Sequence, residues 1–282
     1  MLCCLSSVHA EPLRVHVVLS ERGGAYQAFS DALREELKSQ DVVMSVGESG
    51  ESAGEADLAI AVGMKSSGAE FAANKPVLSV FVPKAGYDKL PKPAGPRQSS
   101  AIYLDQPIER QLSLLLAVLP RVNHIGVLYT EPPPGLSRLR QLAVDRQLLL
   151  HEKAVGPERN LADALDSVLE VSEALLVLPD TDIYNAGTIR NILLTSYRKQ
   201  VPLIGISQAY VKAGALCAIY STPAQIAAQA AEAVRQFAAT AKLPAAQYPK
   251  EFEVSVNMQV ARSLDIHIKD ADKLRDEIRR NP

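Results

Sequence analysis

Asp180-Thr181-Asp182, with Tyr184 close behind, spaces two carboxylates so that they could pair as an acid and a base. The same triplet before a helical pattern is also a helix cap with a second charge on the helix dipole, and both readings stay open. A second polar cluster, Ser207-Gln208-Ala209-Tyr210, interrupts two apolar runs. Near the start of the chain, Ser20-Glu21-Arg22-Gly23-Gly24 precedes Tyr26, and Gly63-Met64-Lys65-Ser66-Ser67-Gly68 follows another apolar run. The backbone N–H groups at a helix start there suit a carboxylate or a phosphate. The rings of Tyr26, Tyr184 and Tyr210 can stack on a ligand, and core packing accounts for any one of them equally well.

Most other chemistries are excluded. The run Gly63 to Ser67 resembles half a phosphate loop, but the G-x-x-x-x-G-K-S/T spacing is missing. Gly23-Gly24 is not a dinucleotide G-x-G-x-x-G and reads as a plain strand-to-helix turn. No G-x-S-x-G elbow is present for a nucleophile. None of His9, His16, His124, His151 and His267 pairs at metal-ligand spacing. Cys217 inside an apolar run reads as a small buried hydrophobe, and Cys3 and Cys4 add no zinc, haem or disulfide pattern. No catalytic constellation, cofactor or metal is expected, which describes a binder better than an enzyme.

The elements that must hold these residues follow from periodicity. Apolar, β-branched runs at 13–19, 42–46, 56–62, 76–82 and 101–104 read as strands, with helices at 25–39, from 63 to about 74, and at 107–119. The alternation then repeats: strands at 122–130, 147–154, 174–178 and 201–206, helices at 135–146, 160–171 and 186–199. Residues 216–220 form a further apolar run. Segments 83–100 and 47–55 read as loops. A long Ala-rich helix at 223–241, a strand at 252–256 and helices at 260–266 and 271–280 close the chain. Strands alternating with helices imply parallel sheets covered on both faces, in two similar α/β lobes. Ligands of such sheets sit beyond the carboxyl ends of the strands. Those ends carry Ser20, Arg22, Tyr26, Gly63, Lys65 and Ser66 in the first half. In the second half they carry Tyr129, Asp180, Asp182, Tyr184, Ser207, Gln208 and Tyr210.

The 282 residues are 47% hydrophobic and 22% charged with a net charge of −2, so a sizeable core is available and a nucleic-acid partner is not indicated. No apolar run is long enough to span a bilayer. Residues 1–10 carry no Lys, Arg, Asp or Glu and end in Val8-His9-Ala10, small residues of the kind found before a signal-peptide cleavage site. They read as the end of an export signal.

Three phrases carry a resemblance: "IERQLSLLLAVLPRVNHIGVLY", "LLVLPDTDIYNAGTIRNILLTSYRKQVPLIGISQAYVKAGAL" and "EFEVSVNMQVARSLDI". Over residues 108–264 the chain resembles ABC transporter substrate-binding proteins of the periplasmic binding protein type I-like kind, the family with tryptophan- and phenylalanine-binding members. The resemblance implies two Rossmann-like lobes with parallel sheets joined by a hinge. Lobe one would hold residues 11–112 and 221–250, and lobe two 113–220 and 251–282. It implies an exported, periplasmic protein, monomeric, free or membrane-tethered, that closes on a small polar or amino-acid-like ligand and delivers it to a permease in the inner membrane. A ligand sensor or scaffold on a degenerate binding-protein fold, coupled to a membrane partner, is the alternative.

Residue by residue, Asp180 falls at the family's acidic P-x-D position, Tyr129 ends its G-V-L-Y strand, and Gly63 matches a glycine that starts a helix at the cleft. The first lobe departs from the pattern. Where the family has an Asp-Pro pair after the fourth strand, this chain has Val82-Pro83-Lys84-Ala85-Gly86, so aromatic amino acid specificity is not implied.

Overall fold

The computed structural model describes residues 11–49, 51, 54–68, 75–91, 98–156 and 160–280. The expected leader at 1–10 and the later part of the helix expected from 63 to 74 lie outside them. In chain order the elements are β1 (Leu13–Leu19), α1 (Gly24–Leu37), β2 (Val42–Glu48), β3 (Leu58–Val62), α2 (Met64–Ser67), β4 (Val77–Val82), α3 (Lys84–Lys89) and β5 (Ser99–Tyr103). Then come α4 (Ile108–Val118), β6 (His124–Tyr129), α5 (Leu136–Asp145), β7 (Leu149–Ala154), α6 (Leu161–Leu169), β8 (Ala174–Leu176) and α7 (Ile189–Arg198). The chain closes with β9 (Leu203–Gly205), α8 (Gln208–Ala213), β10 (Cys217–Tyr220), α9 (Pro223–Thr240), β11 (Glu253–Val256), α10 (Met258–Ser263) and α11 (Ala271–Arg280).

Two compact units result. The first runs up to Val82 and adds Lys89–Tyr103 and Pro223–Gln247; the second holds Pro83–Asp88, Leu104–Thr222 and Tyr248–Pro282. The expected boundary after residue 112 falls earlier, after Tyr103. The reason is packing: Ile108, Leu112, Leu114 and Leu115 of α4 are buried in the same core as Ile125, Val127 and Leu139. A helix that buries its apolar face on one sheet belongs to that sheet's unit.

The first unit is a parallel sheet in the order β2-β1-β3-β4-β5. Its inner strands β3 and β4 are buried along their whole length, as strands covered on both faces must be. The edge strand β2 is mostly exposed or half-exposed. Helix α9 packs on α1 through small residues, with Ala227, Ala230, Ala231 and Val234 all fully buried. Small side chains let the two helices approach closely, and a bulky residue there would overpack the contact.

The second unit repeats the pattern as β11-β10-β9-β8-β6-β7, parallel except for β11, which runs antiparallel to β10. In both sheets the first strand of the unit lies between the second and the third, so the strand order reverses beside β1 and β3 and again beside β6 and β8. Ligands of open parallel sheets collect at such a switch point.

Two short helices were not legible as helices. Residues 84–89, within a segment that reads as an exposed loop, form α3, and the polar cluster at 208–213 forms α8. The glycine before α8 explains its position. Tyr210 folds back on Gly205, where an added Cβ would come within 2.6 Å of the Tyr210 Cβ.

Segments that connect the units are tied down inside the second one. Arg110 on α4 donates to Gln106 Oε1 at 2.6 Å and to the carbonyls of Pro249 and Lys250 at 3.0 and 3.3 Å. Its guanidinium also lies 4.4 Å from the centre of the Phe252 ring, a cation–π distance. Gln106 Nε2 in turn donates to Ser221 Oγ at 2.8 Å.

Candidate functional site

In the first unit, β1 and β3 end side by side and bring Ser20, Tyr26, Gly63 and Ser66 together. The Ser66 backbone N–H donates to Ser20 Oγ at 3.0 Å, and the two hydroxyls lie 3.2 Å apart. Ser66 Oγ donates on to the Val62 carbonyl at 2.8 Å, which fixes the first turn of α2. Gly63 has φ +90°, and a Cβ there would meet Ser20 Oγ and the Tyr26 hydroxyl, each at 2.7 Å. Only glycine fits both the backbone and the space. Burial, with Glu21 nearby, pushes the Tyr26 phenol above its ordinary range, so it stays a neutral hydroxyl.

Tyr26 is held by Phe81. Its ring meets Phe81 edge-on at 5.7 Å, and Phe29 meets Phe81 edge-on at 5.5 Å. Phe81 sits at φ +56°, where the β4–β5 register slips between Val80 and Val82. A bulky residue at positive φ is strained, and bulges beside binding sites re-aim side chains in this way. No sequence signal marks Phe81 for this role. Lys65 is exposed on α2, and Arg22 is exposed and ion-paired with Glu48 of β2.

In the second unit, β6 and β8 form the equivalent edge. Asp180 is fully engaged there. Its Oδ2 accepts the Thr130 N–H at 2.7 Å and the Thr130 hydroxyl at 2.8 Å, and its Oδ1 accepts the N–H groups of Asp182 and Ile183 at 3.0 and 3.3 Å. Asp180 closes the turn at Asp182 and Ile183 and pins it to the loop after β6, whereas α7 starts later with Thr188 at its N-cap, so the expected helix cap does not fall on Asp180; Asp182 is exposed beside it. Thr130 was not singled out from the sequence, since a lone threonine after a strand carries no signal.

The remaining predicted residues divide. Tyr129 turns into the core, and its hydroxyl donates to Glu152 Oε2 at 3.0 Å; Arg140 grips the same carboxylate at 2.7 Å through two nitrogens. Tyr184 is buried too, its hydroxyl without a partner among the described residues, and burial pushes its phenol far up. Tyr210 is half-buried, its hydroxyl reaching the Tyr184 carbonyl at 3.4 Å. Ser207 caps α8 by position without a side-chain bond to it, and Gln208 is exposed at its start. The structure thus leaves Ser207, Gln208, Asp182 and the edge of Tyr210 accessible at the carboxyl end of this sheet.

Two features lie away from those strand ends. His124 and His151 stack with ring centres 5.2 Å apart, and Nδ1 of His124 lies 2.9 Å from Nε2 of His151, a pairing that their separation in sequence conceals. His124 starts β6 and His151 lies on the neighbouring β7, and among the described residues no group of three His, Cys, Asp or Glu could hold a metal ion. A groove of about 530 Å³ runs past Val118, Arg121, Val122, Glu173 and His267 in the same unit. It lies at the amino ends of the strands, where open parallel sheets do not bind their ligands.

Doubly wound sheets of this order in both units, with polar residues gathered at the strand ends, define an α/β protein of the periplasmic binding protein type I-like class. Solved structures of similar fold include a conserved domain protein from Vibrio cholerae at 20% identity, covering 94% of this chain and 98% of that one, TM-score 0.64. The ABC domain from Streptococcus pneumonia in complex with L-Trp matches at 18% identity, 94% and 98% coverage and TM-score 0.65. A ligand-free, open substrate binding protein with adhesive properties from Clostridium difficile matches at 14% identity, 91% and 96% coverage and TM-score 0.71. Among curated proteins there is no match. The family model of ABC transporter substrate binding proteins matches residues 103–274, more than half of the chain, and the chain belongs to that family. Strands β1 to β4 lie before the matched segment. No helix among the described residues is long and apolar enough to cross a membrane.

Proposed function

We propose that this chain is the extracytoplasmic solute-binding protein of an ABC importer, taking a small polar or amino-acid-like ligand by closing its two units on it. The observation that carries the reading is the doubling of one device. Each sheet pins its two switch-point loops together with a hydroxyl, Ser20 to Ser66 in one and Thr130 to Asp180 in the other. Rigid strand ends of this kind suit a receptor that must present preformed hydrogen-bonding groups.

Ser20, Tyr26, Lys65 and Ser66 would contact ligand from the first unit, with Gly63 giving the room and Arg22 a charge at the rim. Asp182, Ser207, Gln208 and Tyr210 would contact it from the second. Asp180, Tyr129 and Tyr184 would act by holding those loops in place. Ligand would stabilise the closed state because only that state contacts it from both sides. An inner-membrane permease would then receive the closed form.

Native mass spectrometry of the exported protein, purified without unfolding, tests this. The expected result is a bound small molecule that is released on unfolding and rebinds on refolding. A folded protein that carries nothing, and takes up nothing from a periplasmic extract, would turn the reading to a sensor or scaffold that has kept the fold.

A further inference from the structure

The second unit holds a small, partly open cavity that none of the strand-end residues described above lines. Its volume is about 40 Å³, and Asp105, Gln111, Ile108, Pro133 and Leu178 are among its walls. One water needs roughly 10–15 Å³ on this measure, so the space fits about two or three waters or one two-heavy-atom group.

Lys84, Asp105, Gln106, Gln111 and Tyr248 supply its polar side chains. Gln111 is 4% exposed, its Nε2 donates to the Gln106 carbonyl at 3.3 Å, and its Oε1 has no partner. An acceptor buried without a donor costs free energy and calls for a donor. Asp105, part-buried, accepts the backbone N–H of Lys84, and among the described residues no side-chain donor bonds its carboxylate. The Lys84 ammonium is engaged by Asp88 at 2.6 Å. Gln106 is spent on Arg110 and Ser221. Beside Lys84 and Tyr248, the cavity thus offers a carboxylate and an amide oxygen as acceptors, with Ile108, Pro133 and Leu178 as apolar wall.

We propose that this cavity is a subsite for a primary alkylammonium group, with Asp105 taking its charge and Gln111 Oε1 one of its N–H bonds. A short aliphatic stem fits against Ile108, Pro133 and Leu178. The proposal deepens the solute-binding reading and rests on it for its meaning, because it gives the ligand class an amine end. Desolvation pushes the Asp105 carboxyl up to about 6, against the pull of the Lys84 and Asp105 backbone N–H groups and the Lys84 charge, with Asp88 adding to the rise. A cation in the cavity offsets that cost, so occupancy requires the ionised carboxylate and grows through pH 6 upward.

Methylammonium chloride is the probe, with tetramethylammonium chloride at equal ionic strength as the control that has the charge but no N–H. Melting temperatures and the Gln111 side-chain amide resonances are read at pH 7.5 and pH 4.5. Methylammonium at ten times its dissociation constant is expected to raise the melting temperature by about 2 °C or more at pH 7.5 and to shift the Gln111 amide. Tetramethylammonium does neither, and the methylammonium effect is lost at pH 4.5 and in Asp105→Asn. Gln111→Met, which keeps the volume, loses it too and serves if Asp105→Asn does not fold. Equal effects from both salts, an effect that survives in Asp105→Asn or Gln111→Met, or no effect at pH 7.5 each overturn the subsite. None of these outcomes bears on whether the chain binds a solute at its strand ends, which the mass measurement reads separately.

Discussion

Thr130 and Asp180, fifty residues apart, are joined twice: the backbone N–H and the hydroxyl of Thr130 both donate to Asp180 Oδ2, at 2.7 and 2.8 Å. The carboxylate's other oxygen caps the turn at Asp182 and Ile183. A side chain so fully bonded to its own protein is a positioning residue. Asp180→Ala should lower stability by about 1–3 kcal/mol, since several donors lose their acceptor at once. Asp180→Asn keeps one acceptor oxygen and should recover part of that. Urea unfolding of the two variants checks this, and an Asp180→Ala midpoint equal to wild type would count against the pinning role.

Gly63→Ala is expected to cost about 1–3 kcal/mol, because it combines a φ of +90° with Cβ contacts at 2.7 Å to Ser20 and Tyr26. The strain should be relieved in part by Ser20→Gly in the same chain, which removes one of the two colliding groups. A double-mutant cycle by thermal unfolding measures that coupling.

Arg110→Lys should behave as a loss, not as a conservative change. A lysine cannot hold Gln106, Pro249 and Lys250 together while also keeping its charge over the Phe252 ring. The expected cost is about 2–3 kcal/mol in unfolding free energy. A Lys variant as stable as wild type would show that the planar fork is not needed.

The Asp105 carboxyl sets a pH signature. Its value in the folded protein, about 6, lies above the ordinary 3.8, so the folded state holds this proton more tightly than the unfolded chain. Ionising it costs stability, and the loss builds as pH rises from about 4 to about 6 and is complete above that. Asp105→Asn removes the cost. The variant should therefore gain on wild type through this window and hold a constant lead above it, in thermal melts at low salt from pH 4 to pH 8. A difference that does not change with pH would place the raised value in doubt.

Much of the fold was written in periodicity. The apolar runs of β1, β3 and β4 and the spaced apolar faces of α1, α4 and α6 announce themselves, because burial on both faces or on one stripe leaves a repeat in the sequence. Helices α3 and α8 left none. Each is six residues long with at most one fully buried residue, too little for an apolar stripe, and α8 stands where Tyr210 must fold onto Gly205. The loops at the strand ends were legible as a set, but the packing of their side chains was not. Tyr129 and Tyr184 fall near strand ends in sequence, yet their rings are buried, and nothing local tells a core tyrosine from a ligand-facing one. Thr130 and Phe81 were invisible for a different reason: one depends on a partner fifty residues away and the other on a bulge that only strand pairing reveals.

The central claim is that the chain is a solute receptor, and a thermal-melt panel of the protein from residue 11 onward tests it most directly. Amino acids, amines, small peptides, sugars, nucleosides and organic acids would each be added in excess to protein shown to carry no ligand. A solute at one hundred times its dissociation constant contributes about 2.7 kcal/mol to the folded state, a rise of several degrees for a chain of this length. The account predicts such a rise for one chemical class, with amine-bearing solutes foremost. A flat panel from folded, empty protein would contradict it.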